Sequence, residues 1–239
     1  MAKKKPIRAV LVGCGSMSRA WLDAAAKRDD LEIIGLVDIN EKTARQRARD
    51  YGLDDVVIGK DFISIIKDAQ PDVVFDVTVP EAHTDVTVAA LRNGCHVLGE
   101  KPMADSLSNA RRSARAAEQA GKIYAVIQNR RYDPNIRRLR RLLAAGPIGE
   151  LTTVNCDFYI GAHFGGFRDR MKHVLLLDMA IHTFDQARLI TDADPETVYC
   201  REWNPKGSWY DHDASAICIF EMTNGLVFTY RGSWCSEGL

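Results

Sequence analysis

No run of apolar residues in this 239-residue chain approaches the roughly 18 that a helix needs to cross a bilayer, which excludes a helical membrane span. The six cysteines (Cys14, Cys95, Cys156, Cys200, Cys218 and Cys235) include no C-x-x-C pair, so neither a disulfide framework nor a cysteine-rich metal knuckle is written here. Reduced thiols in a cytosolic compartment are expected. Net charge is missing too. Thirty-two basic residues balance thirty-two acidic ones, which leaves a general nucleic-acid binder without its electrostatic footprint. No fixed-period repeat or low-complexity tract interrupts the chain. The opening Met1-Ala2-Lys3-Lys4-Lys5-Pro6 lacks the apolar stretch of a secretory signal, because Arg8 breaks the next run and a glycine turn arrives at Gly13. A cytoplasmic protein is the expectation.

What remains is a balanced composition, 46% hydrophobic and 27% charged with a mean hydropathy of -0.20, as in globular domains. The length suits roughly one and a half domains of about 150 residues. In the first half, short β-branched apolar runs (7–12, 31–37, 56–58, 73–78, 96–98 and 123–127) alternate with helical stretches (17–27, 41–50, 62–67, 84–93 and 107–120). That rhythm predicts a doubly wound parallel α/β sheet over residues 1–127. Gly94 and Gly121 stand where helix C-caps want left-handed residues.

After Ile127 the texture changes, and 128–239 is expected to be an α+β domain with a largely antiparallel open sheet. A helix opens behind Pro134 and ends by Gly146, strands are expected at 151–160, 197–203, 214–221 and 226–234, and Asn224-Gly225 signals a tight hairpin. A long helical stretch at 174–190 follows the glycine-broken loop 161–173, a kind of loop that often shapes a site. Ten Lys or Arg against two acids lie between Arg111 and Arg141, and Arg137, Arg138, Arg140 and Arg141 crowd one helix. The simplest reading puts those arginines in solvent while Ile136, Leu139, Leu142 and Leu143 face a core.

Gly13-Cys14-Gly15-Ser16-Met17-Ser18 closes the first strand and opens the first helix, a G-x-G-x-x-G turn with serine in third place. Glycine at the first two positions permits the turn and lets backbone N–H groups approach a pyrophosphate at the positive end of the helix. Asp38 ends the second strand 20 residues past Ser18, where a carboxylate accepts both ribose hydroxyls of NAD, although it is also placed to cap the following helix. No arginine follows immediately to receive a 2′-phosphate, so NAD is favoured over NADP. The fourth strand runs into Thr78-Val79-Pro80-Glu81-Ala82-His83 and the fifth into Gly99-Glu100-Lys101-Pro102, both on the ligand edge of such a sheet. Lys101 beside a nicotinamide can exchange a proton with a reacting oxygen, or simply form an exposed pair with Glu100; His83 is equally placed to cap the next helix.

In the second half Asp178, His182 and Asp185 fall at spacings of four and three on an otherwise apolar helix. Charge there needs a reason. A satisfied core network, a metal site and acid/base chemistry compete; no third histidine or cysteine falls nearby in sequence, and no metal is expected.

These residues together resemble the Gfo/Idh/MocA oxidoreductases. The likeness rests on Val12-Gly13-Cys14-Gly15 with Ser18-Arg19-Ala20, Val37-Asp38, Thr78 to His83, and Gly94-Cys95-His96-Val97 running into Glu100-Lys101-Pro102. It continues in Asn129-Arg130-Arg131-Tyr132, Gly146-Pro147-Ile148-Gly149-Glu150 and Asp178-x-x-x-His182-x-x-Asp185. The resemblance implies an NAD-dependent dehydrogenase of a sugar, sugar acid or cyclitol. It makes Lys101 and His182 the acid/base groups, with Asp178 holding the substrate. It places Gly13, Gly15, Ser16, Met17, Asp38, Thr78, Pro80, His83, Glu100 and Lys101 around the cofactor. Arg131, Tyr159, His163 and Arg168 are candidate substrate contacts by location and polarity. An NAD-retaining glycosidase and an inactive NAD-binding relative are the alternatives. A homodimer or homotetramer through the second sheet is expected. Where the family usually has a glycine pair before its catalytic helix, this chain has His173-Val174. Relatives are longer, so the second sheet is expected to lack its last strands.

Overall fold

The computed structural model describes residues 5–236. Two units divide between Ile127 and Gln128.

In the first unit, strands β1 (Ile7–Val12), β2 (Leu31–Val37), β3 (Val57–Gly59), β4 (Val73–Asp76), β5 (His96–Gly99) and β6 (Tyr124–Val126) form one parallel sheet in the order β3-β2-β1-β4-β5-β6. The inner strands are apolar on both sides because both faces are covered. Ala9, Leu11, Leu36 and Phe75 pack with helices α1 (Ser18–Ala25) and α2 (Glu41–Asp50) through Trp21, Leu22, Ala44 and Ala48. On the other face Val10, Val74 and Val97 meet α3 (Phe62–Ala69), α4 (Pro80–Arg92) and α5 (Leu107–Ala120) through Ile65, Ile66, Val88, Leu91 and Ala116. The strand order reverses between β1 and β4, so the carboxyl ends of these two strands flank the crevice where such sheets bind ligands.

Of the boundaries that depart from the sequence reading, two have a clear local reason. β4 stops at Asp76, not Thr78, because the Asp76 carboxylate accepts from the Thr78 N–H (3.2 Å) and turns the chain. α4 starts at Pro80, not at residue 84, since proline's fixed φ suits the first helical position and its missing N–H would be unsatisfied there anyway.

The second unit has a four-stranded sheet ordered β7-β10-β9-β8, from β7 (Thr153–Tyr159), β8 (Pro195–Trp203), β9 (Ser215–Met222) and β10 (Val227–Ser233). β8, β9 and β10 are antiparallel neighbours, but β10 runs parallel to β7, so the sheet is mixed. One face carries Cys156, Phe158, Cys218, Phe220, Phe228 and Tyr230, and packs on the helical segment through Leu175, Ala180, Phe184 and Ala187. That segment is not one regular helix. Leu175–Ala180 is a π-helical turn, followed by α7 (Ile181–Thr191).

Two expectations need correction. The β9–β10 connection is not a two-residue turn with positive φ at Asn224 and Gly225. Gly225 alone has positive φ (+80°), its N–H donates to Met222 O (2.8 Å), and Met222 N–H donates to Leu226 O (2.9 Å), the three-residue loop with glycine at the bulge. Helix α6 (Pro134–Ala144) does expose its arginines, but Leu139 (39%) and Leu142 (55%) are exposed as well. Ile136 and Leu143, seven residues apart, share the narrow half-buried stripe, and Leu142 lies off it.

Candidate functional site

Gly13 and Gly15 serve different ends. Gly13 has φ +92°, and a Cβ there would lie 2.5 Å from the Val77 carbonyl oxygen, so glycine is needed to pack the turn against the end of β4. At Gly15 a Cβ would meet nothing within 4 Å. The chain then enters α1 through the exposed residues Ser16 and Met17, with Ser18 N–H donating to Gly15 O (3.2 Å). Asp38 is fixed by the backbone on both oxygens: Oδ2 accepts from Cys14 N–H and Oδ1 from Asn40 N–H, each at 2.8 Å. Each oxygen keeps a second lone pair for a ligand hydroxyl. Burial, reinforced by the Asp38 charge, pushes the Cys14 thiol up to about 12, so no thiolate confronts an incoming diphosphate. Open space over the second glycine, a helix N-terminus and a fixed carboxylate form a cradle that fits a dinucleotide.

Two buried carboxylates shape the ends of β4 and β5. Asp76, fully buried, accepts from the hydroxyls of Thr78 (2.6 Å) and Thr87 (3.2 Å), and its Oδ1 lies 3.1 Å from His83 Nδ1. His83 is therefore turned inward, 1% exposed, beneath the segment that Pro80 begins. Glu100 accepts from Trp21 Nε1 (2.7 Å) on Oε1 and from the Lys101 N–H (3.2 Å) on Oε2, tying the first helix to the Lys101 loop. The Tyr124 hydroxyl donates to Met103 O (3.1 Å) and pins the far side of that loop. The sequence reading missed Asp76, Thr87 and Trp21. The one signal was an aspartate inside the apolar run Val73-Val74-Phe75-Asp76-Val77.

In the second unit Asp178 (3% exposed), His182 (5%) and Asp185 (9%) are all buried, and Asp178 lies in the π-helical turn, a rare irregularity frequent at functional sites. Arg168 Nε donates to Asp178 Oδ2 (2.6 Å), with the guanidinium 4.6 Å from the Phe167 ring centre. Arg131 donates twice to Asp185 (2.8 and 2.6 Å). The two arginines expected to meet substrate are thus the counter-ions of the helix carboxylates, since buried charge must be paired. Tyr159 alternates with Phe158 and so lies on the sheet face opposite the helix that carries Asp178 and His182. His163 is exposed and lies 2.7 Å from Asp169. His173 adopts φ +55°, a left-handed conformation unusual outside glycine, with Nδ1 2.7 Å from Glu202 Oε2.

The profile of the oxidoreductase family with an NAD-binding Rossmann fold matches residues 7–128, and that of the GFO/IDH/MocA C-terminal domain matches 136–239. The chain belongs to the GFO/IDH/MocA family. Its first unit is the family's NAD-binding Rossmann domain, and NAD is its cofactor. Among GFO/IDH/MocA relatives, the 1,5-anhydro-D-fructose reductase of Ensifer adhaerens is 30% identical over 193 residues, 77% of this chain and 56% of that protein. The myo-inositol 2-dehydrogenase of Thermotoga maritima is 25% identical over 193 residues, 81% and 57%. An oxidoreductase from Agrobacterium radiobacter, solved with NAD+, L-tartaric acid and magnesium, superposes with a TM-score of 0.90 at 22% identity, covering 98% of this chain and 69% of that one. The chain spans a little over half the length of these two curated relatives. Among the described residues, no helix is long and apolar enough to cross a membrane.

Proposed function

We propose that this chain carries the catalytic residues of an NAD-dependent dehydrogenase acting on a sugar, sugar acid or cyclitol. The observation that carries the reading is the buried Asp178 and His182 on an apolar, π-interrupted helix, in a family whose Rossmann domain here keeps Glu100-Lys101-Pro102 on its ligand edge. NAD supplies the hydride acceptor. The protein's own residues handle the proton: when the substrate C–H leaves as hydride, the hydroxyl O–H must also break for a carbonyl to form, and His182 takes that proton. Lys101 donates a hydrogen bond to the developing alkoxide, and Asp178, oriented by Arg168, fixes the substrate hydroxyl. His83 and Asp76 support the cofactor edge from inside, through Thr78. A screen of polyols and sugar acids with NAD, read as absorbance of the reduced cofactor, is expected to give net reduction with at least one. Redox-neutral bond cleavage, or no reduction across the screen, overturns the assignment.

The Asp38 carboxylate should set cofactor choice. A 2′-phosphate would meet its charge, so NAD is expected to bind at least about tenfold tighter than NADP, or about 1.4 kcal/mol. Titrating both cofactors against wild type and Asp38→Ala tests this: the preference should collapse in the variant, and equal wild-type affinities would remove Asp38 from the ribose site.

The outward face of the second sheet, with Tyr199 (66% exposed), Ile217 (39%) and Ile219 (43%) on neighbouring strands, is proposed to pack against a second copy. Light scattering should report a dimer or larger; a stable monomer at micromolar concentration defeats it.

A further inference from the structure

Arg47, on α2, is a buried guanidinium, 6% exposed, lying behind the glycine turn. Its Nη2 donates to Cys14 O (3.2 Å) and Gly15 O (3.1 Å), its Nε to Ser18 Oγ (2.9 Å) and its Nη1 to Asp50 Oδ2 (3.0 Å). Ser18 holds the place of the motif's third glycine, and its hydroxyl donates in turn to Gly15 O (2.6 Å). In a trans peptide the C=O and the next N–H point in opposite directions. Anchoring Cys14 O and Gly15 O on Arg47 therefore aims the N–H groups of Gly15 and Ser16 away from it, outward from the exposed side of the loop. A single-point hold on one carbonyl would let the flanking peptides swing. The fork, Nη2 on both carbonyls and Nε on the Ser18 brace, fixes two successive planes.

We propose that Arg47, with Ser18 as its bridge, is a positioning residue that pre-sets the loop amides for the cofactor's diphosphate. The inference rests on the loop binding NAD. Arg47→Met keeps the apolar stem and removes the fork. It is expected to weaken NAD and ADP-ribose about 10- to 100-fold by calorimetry while leaving adenosine, which has no diphosphate, within about twofold. The rise in Tm on adding saturating NAD should shrink to match. Arg47→Lys keeps the charge without the fork and should recover only part of the affinity. Ser18→Ala, a milder change, should weaken NAD about threefold or more and serves if Arg47→Met does not fold.

Unchanged NAD affinity in Arg47→Met, or in Ser18→Ala where only that variant folds, overturns the proposal. So does full recovery in Arg47→Lys, which would make a single cationic donor sufficient without the Ser18 bridge, and so does an equal loss of adenosine and NAD, which would mark general damage. A wild-type chain that binds neither NAD nor ADP-ribose instead overturns the cofactor reading beneath it.

Discussion

His182→Ala and Lys101→Ala are each expected to lower kcat by about 10²–10⁴-fold, the usual contribution of a positioned acid or base, with NAD affinity within a few-fold of wild type. The reason is a division of labour. The cradle for the cofactor is built by Gly13, Gly15, Asp38 and the start of α1, none of which depends on either side chain. A neutral imidazole accepts a proton at its unprotonated ring nitrogen, whereas a lysine ammonium is first a donor. Removing His182 should therefore alter the pH–rate profile. His182→Gln separates chemistry from packing, because it keeps volume and hydrogen bonding but cannot carry the proton. It should lose as much rate as His182→Ala with a smaller drop in Tm. Near-wild-type turnover and an unchanged pH profile in His182→Ala would pass the base role to Lys101. Loss of NAD binding in that variant would assign the helix a structural part.

The sequence is legible where local rules decide the outcome and less so where a partner lies far along the chain. β1, β2, α2 and α5 begin and end where periodicity and caps place them, and Gly121 closes α5 in the left-handed conformation its position called for. The strand–helix alternation sufficed for the parallel sheet, because a parallel pair requires a crossover. The arginines show the limit. Arg131 and Asp185 are 54 positions apart, and nothing near Arg131 announces that a buried carboxylate will claim two of its nitrogens. Tyr159 shows a different limit: strand alternation sends each residue to the opposite face from its neighbour, so locating the strand without its register leaves a candidate's direction undecided. Helix α6 shows the same problem in helical form. Four apolar residues suggest a broad buried face, and the packing uses a narrower one. His173 could be marked as a departure from the family's glycines, but only the backbone reveals that it keeps a glycine-like φ of +55°.

The two glycines of the first turn, indistinguishable as letters in the motif, should separate completely on substitution. Gly13→Ala would place a Cβ 2.5 Å from Val77 O and 2.7 Å from Val77 C, on backbone that cannot rotate aside, at a φ of +92° that side chains rarely adopt. Strain of that kind and the accompanying overpacking together amount to about 3 kcal/mol or more. For a chain of this size each kcal/mol moves Tm by about 2–4 °C, so a fall of about 6–12 °C is expected, with NAD binding lost as the end of β1 is pushed away from β4. Gly15→Ala meets nothing within 4 Å in the protein itself, and its Tm should stay within about 2 °C of wild type. The same methyl group would project into the space assigned to the diphosphate, so NAD should bind at least about tenfold more weakly. Differential scanning fluorimetry with and without NAD reads both variants. A stable Gly13→Ala protein would mean that β4 yields to the added carbon. A Gly15→Ala protein with wild-type NAD affinity would move the diphosphate out of that space, and with it the role given to the loop amides.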